Sequence, residues 1–385
     1  MKNLTLCKIL TFIRYFAEAL FFPFISLYFS EVKGFDIEHI GILIAAIPIT
    51  AILCSPIYSR VCTNPKRTKI ALMIMSIIEA GFVVLLLFAN HFAFALAGII
   101  LLSIISSSNY GMIDSLLTLI AEDNGKRFSS IRIYGSTSYM LGVLFSGIIT
   151  RQFSYSVSFI IACCLFIGVG ILYFFIKTPS HKETQEEKVK LTAILKNKAF
   201  IGYLIFYILL IGTMQVGDDF FSLYMESKGG EEYYSYVSFG FIGVEILTML
   251  LLNRFGKNMS IQLFFVSLCL LVIRNAVHAI PNTPLWLIIV FQMLRGIIWA
   301  IALVLSSTFV SKILGYKLAS SGIILVMLGV QIFSATFKLS GGFIIAAVGY
   351  SNFYLILLGF SLLAFVYYIF YYRYYKNLAK KQIIE

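Results

Sequence analysis

Apolar residues in this chain arrive in long blocks of roughly 20, separated by short polar breaks, and each block is long enough to cross a bilayer's hydrocarbon core as a helix. Twelve blocks are legible: 9–30, 39–60, 68–89, 92–120, 129–151, 154–177, 199–225, 233–253, 258–280, 285–311, 318–348 and 350–374. The first begins too near the N-terminus and runs too long for a cleaved signal peptide, and no small-residue cleavage site follows it. The longest break, TPSHKETQEEKVKLTAILKNK at 178–198, is polar and mixed in charge, and falls between the sixth and seventh blocks. It divides the chain into six-helix bundles at 1–177 and 199–385, joined by a cytoplasmic linker. The halves echo each other weakly: SRVCTNPKRTK follows the second block and NRFGKNMS the eighth, 194 residues later when Arg60 is matched to Arg254. The pattern predicts an all-α membrane protein of 12 transmembrane helices, two six-helix pseudo-repeats around a central cavity, which is the outline of a transporter.

Within the blocks, Pro23, Pro48 and Pro56 are expected to kink the first two helices. Gly135, Gly142, Gly147, Gly240, Gly243, Gly329, Gly341 and Gly342 are expected to mark close helix contacts, which small residues permit.

Composition sharpens the picture. Of 385 residues, 60% are hydrophobic and 12% charged, with a mean hydropathy of +0.92; soluble chains carry about 25% charged residues. A net charge of +12 raises the question of nucleic acid, but the positions of the charges answer it. With the N-terminus inside, 22 of the 30 lysines and arginines fall on cytoplasmic ends and loops, against Lys33, Arg151 and Lys228 outside. That bias places both termini in the cytoplasm of a multi-pass cell-membrane protein and makes the basic charge an orientation signal. The partners it implies are membrane lipids and a small-molecule substrate, with no nucleic acid. The six cysteines show no metal-ligand spacing and read as small core residues, so no metal or cofactor is expected.

The remaining cations, Arg14, Arg132, Arg274, Arg295 and Lys338, lie inside predicted helices, as do Glu18, Glu79, Asp114, Asp218, Asp219 and Glu245. Glu245, in FIGVEILTMLLL, has nothing charged within seven residues on either side, and such a carboxylate costs about 3 kcal/mol at the centre of a membrane helix. Helix hairpins set the depths of these charges, because two positions equally far from a shared turn lie at about equal depth. By that rule Asp218, Glu245, Arg274 and Arg295 share one band on helices seven to ten, with Glu245 and Arg274 on the order of 20 Å from the cytoplasmic turn. Asp114 and Arg132 form a second band, roughly 13 Å above their own turn. The functional reading is a polar cavity in which Glu245 and Asp218 face Arg274 and Arg295; the competing reading is fixed ion pairs that hold helices together. Arg14 and Glu18, spaced i, i+4, form either an internal pair or a site, and Gln292 joins them as a secondary candidate. Asp219 points about 100° away from Asp218 around the helix. Lys338 is placed to snorkel to water, Glu79 is read as structural, and His278 as a satisfied interfacial side chain near the outer surface.

The LFFPFISLYF of helix one, RIYGSTSY at 132–139 and the NRFGK turn after helix eight resemble the major facilitator superfamily. The branch is the one containing lactose permease, nucleoside–proton symporters and phenylpropionate permeases, and the resemblance covers the whole chain. It implies that Asp114 and Arg132 correspond to a substrate-binding acid–arginine pair on helices four and five. Tyr139 then stands for an aromatic that stacks on substrate. Glu245 and Arg274 correspond to the binding and proton-coupling centre of helices eight and nine, and Asp218 to an acid on helix seven. Arg295 and Ile298 stand where lactose permease carries a coupling histidine and glutamate, so lactose and a copied coupling scheme are not expected. Thr63 and Asn64 replace the aspartate–arginine pair usual in the first cytoplasmic motif. Helix five lacks the glycine–proline signature of drug–proton antiporters. The resemblance also implies a monomer.

Together these readings predict a secondary transporter for a sugar, nucleoside or aromatic acid, coupled to H+. Glu245 leads the proton-carrying candidates and Asp218 follows, with Arg274 modulating Glu245. The alternative is a proton-driven exporter of drugs or amphipathic metabolites. A sensor would carry a soluble signalling domain, and an enzyme or primary pump a catalytic constellation or nucleotide loop, and neither pattern is found.

Overall fold

Why the apolar blocks become helices follows from the bilayer, where backbone N–H and C=O groups must be satisfied within the segment itself. The computed structural model describes residues 2–61, 64–107, 109–126, 128–179, 194–255 and 261–382. Most of the 178–198 linker (180–193), Thr63 and the 256–260 turn after helix eight lie outside the described residues. The membrane helices are α1 (Asn3–Val32), α2 (Ile37–Val61), α3 (Pro65–Leu87), α4 (Phe92–Asp123), α5 (Ser129–Gln152), α6 (Tyr155–Phe175), α7 (Lys198–Asp219), α8 (Tyr234–Phe255), α9 (Gln262–Ala279) and α10 (Leu285–Leu314). α11 and α12 run together in Tyr316–Gln382 and part at Gly349, whose φ of 79° and ψ of 169° no helix tolerates. That break stands between the blocks predicted to end at 348 and resume at 350, because only glycine enters this region without strain.

The chain divides into two compact units, Met1–Gln185 with Met225–Phe239, and Glu186–Tyr224 with Gly240–Glu385. The tip of the α7–α8 hairpin thus groups with unit 1, a feature that a boundary drawn at the linker does not contain.

In unit 1, α1 packs on α5 and α6, and α3 on α4 and α6. The α1–α5 approach is close: a β-carbon at Gly142 would stand 2.7 Å from Ala19 Cβ and 2.9 Å from the Phe16 carbonyl oxygen. Pro23 interrupts α1 as expected, forcing a 3-10 turn at Phe22–Phe24. Just before it, the Leu20 carbonyl accepts hydroxyl protons from Ser146 (3.0 Å) and Ser158 (2.9 Å), which ties α5 and α6 to the interruption. α2, by contrast, runs unbroken through Pro48 and Pro56. The hydroxyl of Thr50 occupies the Ala46 carbonyl at 2.7 Å beside the first of them.

At the hairpin tip, Ser30 Oγ donates to Glu226 Oε1 at 2.7 Å. Burial pushes the Glu226 carboxyl above its ordinary value, and the Glu231 charge adds to the shift, while the Ser30 bond opposes it. A carboxyl raised in the packed state binds its proton more tightly there than in the free chain. The packed tip is therefore favoured at acid pH, and it loses that contribution as pH rises past the ordinary value towards the raised one. Glu226→Gln, uncharged at every pH, is expected to slow amide exchange over 225–239 at neutral pH; exchange as fast as in wild type would contradict this.

In unit 2, α9 packs on α10 and on the α11–α12 element, which also covers α7. An aromatic core of Tyr203, Phe206, Phe264, Phe309 and Tyr368 fills the interior between them.

Candidate functional site

Unit 2 brings three helices together at Asp218. α7 delivers it at its C-terminal end, α9 brings Arg274, and α10 is interrupted at Met293 so that Gln292 and Arg295 lie on either side of the break. Asp218 Oδ1 accepts from Arg274 Nη2 at 2.5 Å and from Gln292 Nε2 at 3.3 Å, and Oδ2 accepts from Arg295 Nε at 2.9 Å. Arg274 Nε donates to Gln292 Oε1 at 3.0 Å, closing a ring of three side chains. Arg274 is fully buried; the side chains of Asp218, Arg295 and Glu245 keep 17%, 21% and 17% of their exposure, so the ring has one wet side.

Glu245 stands on that wet side, its Oε2 3.5 Å from Arg295 Nη1. The Arg295 guanidinium also lies over the Phe241 ring at 4.2 Å, one helical turn before Glu245 on α8. What permits this meeting is Gly296. A β-carbon there would overlap the Phe241 carbonyl oxygen and lie 2.8 Å from the Glu245 nitrogen. Because overpacking of this kind typically costs about 2 kcal/mol, Gly296→Ala is expected to lower the thermal midpoint of the purified protein. A midpoint unchanged from wild type would show that the helices part at no cost.

With Arg295 and Glu245 attached, the cluster holds two guanidinium and two carboxylate groups, a balanced set. Asp218 accepts from three donors, two of them guanidinium groups. Glu245 meets its arginine at the longer distance of 3.5 Å. Arg274, expected to modulate Glu245, instead serves Asp218 and Gln292, and Arg295 takes the place beside Glu245. Depth placed all four charges in one band but carried no information on which faces meet.

Unit 1 holds the second predicted pair. Arg132 Nε lies 4.0 Å from Asp114 Oδ1, with side-chain exposures of 35% and 38%, a loose contact open to solvent. The Arg132 guanidinium stacks 4.5 Å over Tyr15. A β-carbon at Gly135 would come within 2.8 Å of both Arg132 Nη1 and the Tyr15 ring, so only glycine leaves space for that stack. Half-buried Tyr139 follows Arg132 by seven residues on α5, on the same face.

Other placements differ from the sequence reading. Arg14 pairs with Glu79 (3.1 Å) across 65 residues. Glu79, read as structural, is therefore a charge partner, and Asn109 Nδ2 donates to its Oε2 at 3.2 Å. Lys338 does not snorkel: with 12% side-chain exposure it binds Asp219 at 2.7 Å. His278, in the last turn of α9, is fully buried among Phe221, Tyr224 and Tyr354. Sequence reasoning missed Tyr15, Phe241 and Asn109 at these sites.

Comparison with known proteins follows the same architecture. The profile of the MFS_1 like family matches residues 4–356. Maltose permease of Geobacillus stearothermophilus is 22% identical over 298 residues, covering 76% of this chain and 75% of that one. The "Probable 3-phenylpropionic acid transporter" of Escherichia coli (strain K12) is 24% identical over 294 residues, covering 72% and 75%. Among solved structures, a mutant of the nucleoside transporter NupG superposes with a TM-score of 0.85 at 17% identity, covering 95% of this chain and 99% of that one, which shows the shared fold.

Proposed function

Because this chain belongs to the MFS_1 like family of the major facilitator superfamily, and is thus a multi-pass membrane protein and secondary transporter of a small molecule, we propose that it is a proton-coupled symporter for a sugar, nucleoside or aromatic acid. The observation that carries this reading is the Arg274–Asp218–Arg295–Glu245 cluster, in which Asp218 accepts from both arginines and Glu245 meets Arg295 at 3.5 Å. Glu245 is the proton-carrying group, and Arg295 sets its charge state by electrostatic contact. Asp218, Gln292 and Arg274 hold Arg295 in place. Proton binding at Glu245 leaves Arg295 with one counter-charge fewer, which frees it to reorganise as the carrier changes state.

Substrate is held from unit 1 by Arg132 and Asp114, whose loose pairing leaves donor and acceptor capacity for hydroxyl or carboxylate groups. Tyr15 and Tyr139 supply aromatic faces for a sugar ring or a base. The names of the relatives, a maltose permease, a phenylpropionic acid transporter and a nucleoside transporter, support the three solute classes. Both termini are placed in the cytoplasm by the distribution of lysine and arginine.

Uptake of labelled maltose, uridine and phenylpropionate into proteoliposomes, driven by an imposed inward proton gradient, tests the proposal. One class should accumulate and collapse when a protonophore is added. Accumulation that survives the protonophore, or that requires a sodium gradient, would overturn proton coupling; efflux driven by an inward proton gradient would favour export.

A further inference from the structure

At one end of unit 2 the start of α9 and the last turns of α12 leave a cleft of about 740 Å³, whose lining includes Gln262, Phe265, Tyr368, Tyr372, Arg373 and Lys376. The two helices are fastened to each other beside it. Tyr368 Oη donates to the Ile261 carbonyl at 2.8 Å, and Gln262 Nε2 donates to Tyr372 Oη at 3.4 Å. The Tyr368 and Tyr372 rings stack with centroids 5.9 Å apart. One turn further along α9, Phe265 packs its ring 5.3 Å from that of Phe365 and stays 42% exposed. The cleft is thus aromatic towards the apolar body of the helices and phenolic nearer their ends, the order of polarity that suits a membrane–water boundary.

Its rim is basic. Arg373 and Lys376 are both exposed there, and they share one face of α12 with Ile369 and Tyr372, at i, i+3, i+4 and i+7. Among the described residues neither meets a carboxylate. A second observation comes from the sequence: between Glu245 and Glu385 the chain holds no aspartate or glutamate, so no acid of α9 to α12 can neutralise them. A guanidinium and an ammonium beside an aromatic cleft fit a molecule that is anionic at one end and hydrocarbon at the other. A phosphodiester suits the pair, because the guanidinium takes two of its oxygens in a planar fork and the ammonium acts as a point charge. Basic pockets between membrane helices favour anionic headgroups in this way.

We propose that the α9–α12 cleft binds one anionic phospholipid, its phosphate held by Arg373 and Lys376, its headgroup hydroxyls beside Gln262 and Tyr372, and an acyl chain laid along Phe265. Gln262 precedes Arg274 by 12 residues, about 18 Å along the helix, so the cleft is separate from the Asp218 cluster. The lipid is not the transported solute, and the site goes beyond the symport reading and can stand or fall without it.

Native mass spectrometry of the purified protein in detergent, titrated with phosphatidylglycerol in one series and phosphatidylcholine in another, tests the site. The wild type is expected to hold one phosphatidylglycerol in preference to phosphatidylcholine. Arg373→Gln combined with Lys376→Gln should weaken phosphatidylglycerol binding about tenfold and leave phosphatidylcholine binding unchanged. Lys312→Gln combined with Lys317→Gln removes the same charge near the α10–α11 connection and should leave the affinity as it is. Equal weakening in both double variants would mean diffuse attraction to a basic surface, and equal affinity for the two lipids would mean no recognition of the anion; either overturns the proposal. Glycerol phosphate at the same concentration should not compete. If it does, the cleft is a site for a soluble phosphate and the lipid assignment fails. A chain that binds phosphatidylglycerol only after Glu183, Glu186 and Glu187 are replaced by glutamine would make the linker the occupant of the cleft and overturn the proposal as well.

Discussion

Glu245→Gln is expected to abolish solute accumulation driven by a proton gradient, down to the level of empty liposomes, while exchange of labelled for unlabelled solute continues. The glutamine keeps the size of the side chain and an acceptor for Arg295, so the contact at 3.5 Å persists in neutral form. What it removes is the ability to bind and release a proton, and with it the link between gradient and movement. Asp218→Asn should behave differently. Asp218 carries Arg274, Arg295 and Gln292 together, and an asparagine cannot accept from two arginines as a carboxylate does. Both accumulation and exchange should fall, because the ring itself loosens. The contrast between the two variants is the readout: a Glu245 variant that loses exchange as well would make Glu245 a binding or structural group.

Removing Arg274 should have the largest effect on the fold. Its side chain is fully buried and bridges Asp218 and Gln292 through two different nitrogens. Arg274→Met leaves Asp218 with one arginine and strands the Gln292 acceptor. Breaking a buried pair by deleting one partner costs about 3–5 kcal/mol, and since Asp218 retains Arg295 the lower end is expected, about 3 kcal/mol. Arg274→Lys should not rescue it, because a single ammonium cannot reach both partners in the planar fork geometry of a guanidinium. Combining Arg274→Met with Asp218→Asn should recover much of the lost thermal midpoint without restoring transport. If the double variant is as unstable as the two single losses added together, the pair is not coupled as described.

Much of this arrangement was readable before any coordinates, and the reasons are physical. Bilayer thickness sets block length, so helix number followed from hydropathy, and the α11–α12 break at Gly349 falls in the gap between the last two blocks. Hairpin geometry sets depth, so Asp218, Glu245, Arg274 and Arg295 were gathered into one layer. Rotation about each helix axis is not encoded in depth, and there the reading missed. Arg274 was assigned to Glu245, yet Arg295 makes that contact because Gly296 lets α10 approach α8. Contacts between helices that share no hairpin were also invisible: Arg14 with Glu79 joins α1 to α3, and Lys338 with Asp219 joins α11 to α7.

The most direct test of the central claim is to record proton movement itself. Proteoliposomes containing the purified protein and a pH-sensitive dye, with no imposed gradient, would receive sugars, nucleosides and aromatic acids one at a time, with Glu245→Gln run in parallel. The account predicts that one solute class draws protons into the wild-type vesicles and that the same solute moves none in the variant. Proton uptake of equal size in both samples would contradict the assignment of Glu245, and a transported solute that moves no protons in the wild type would contradict proton symport.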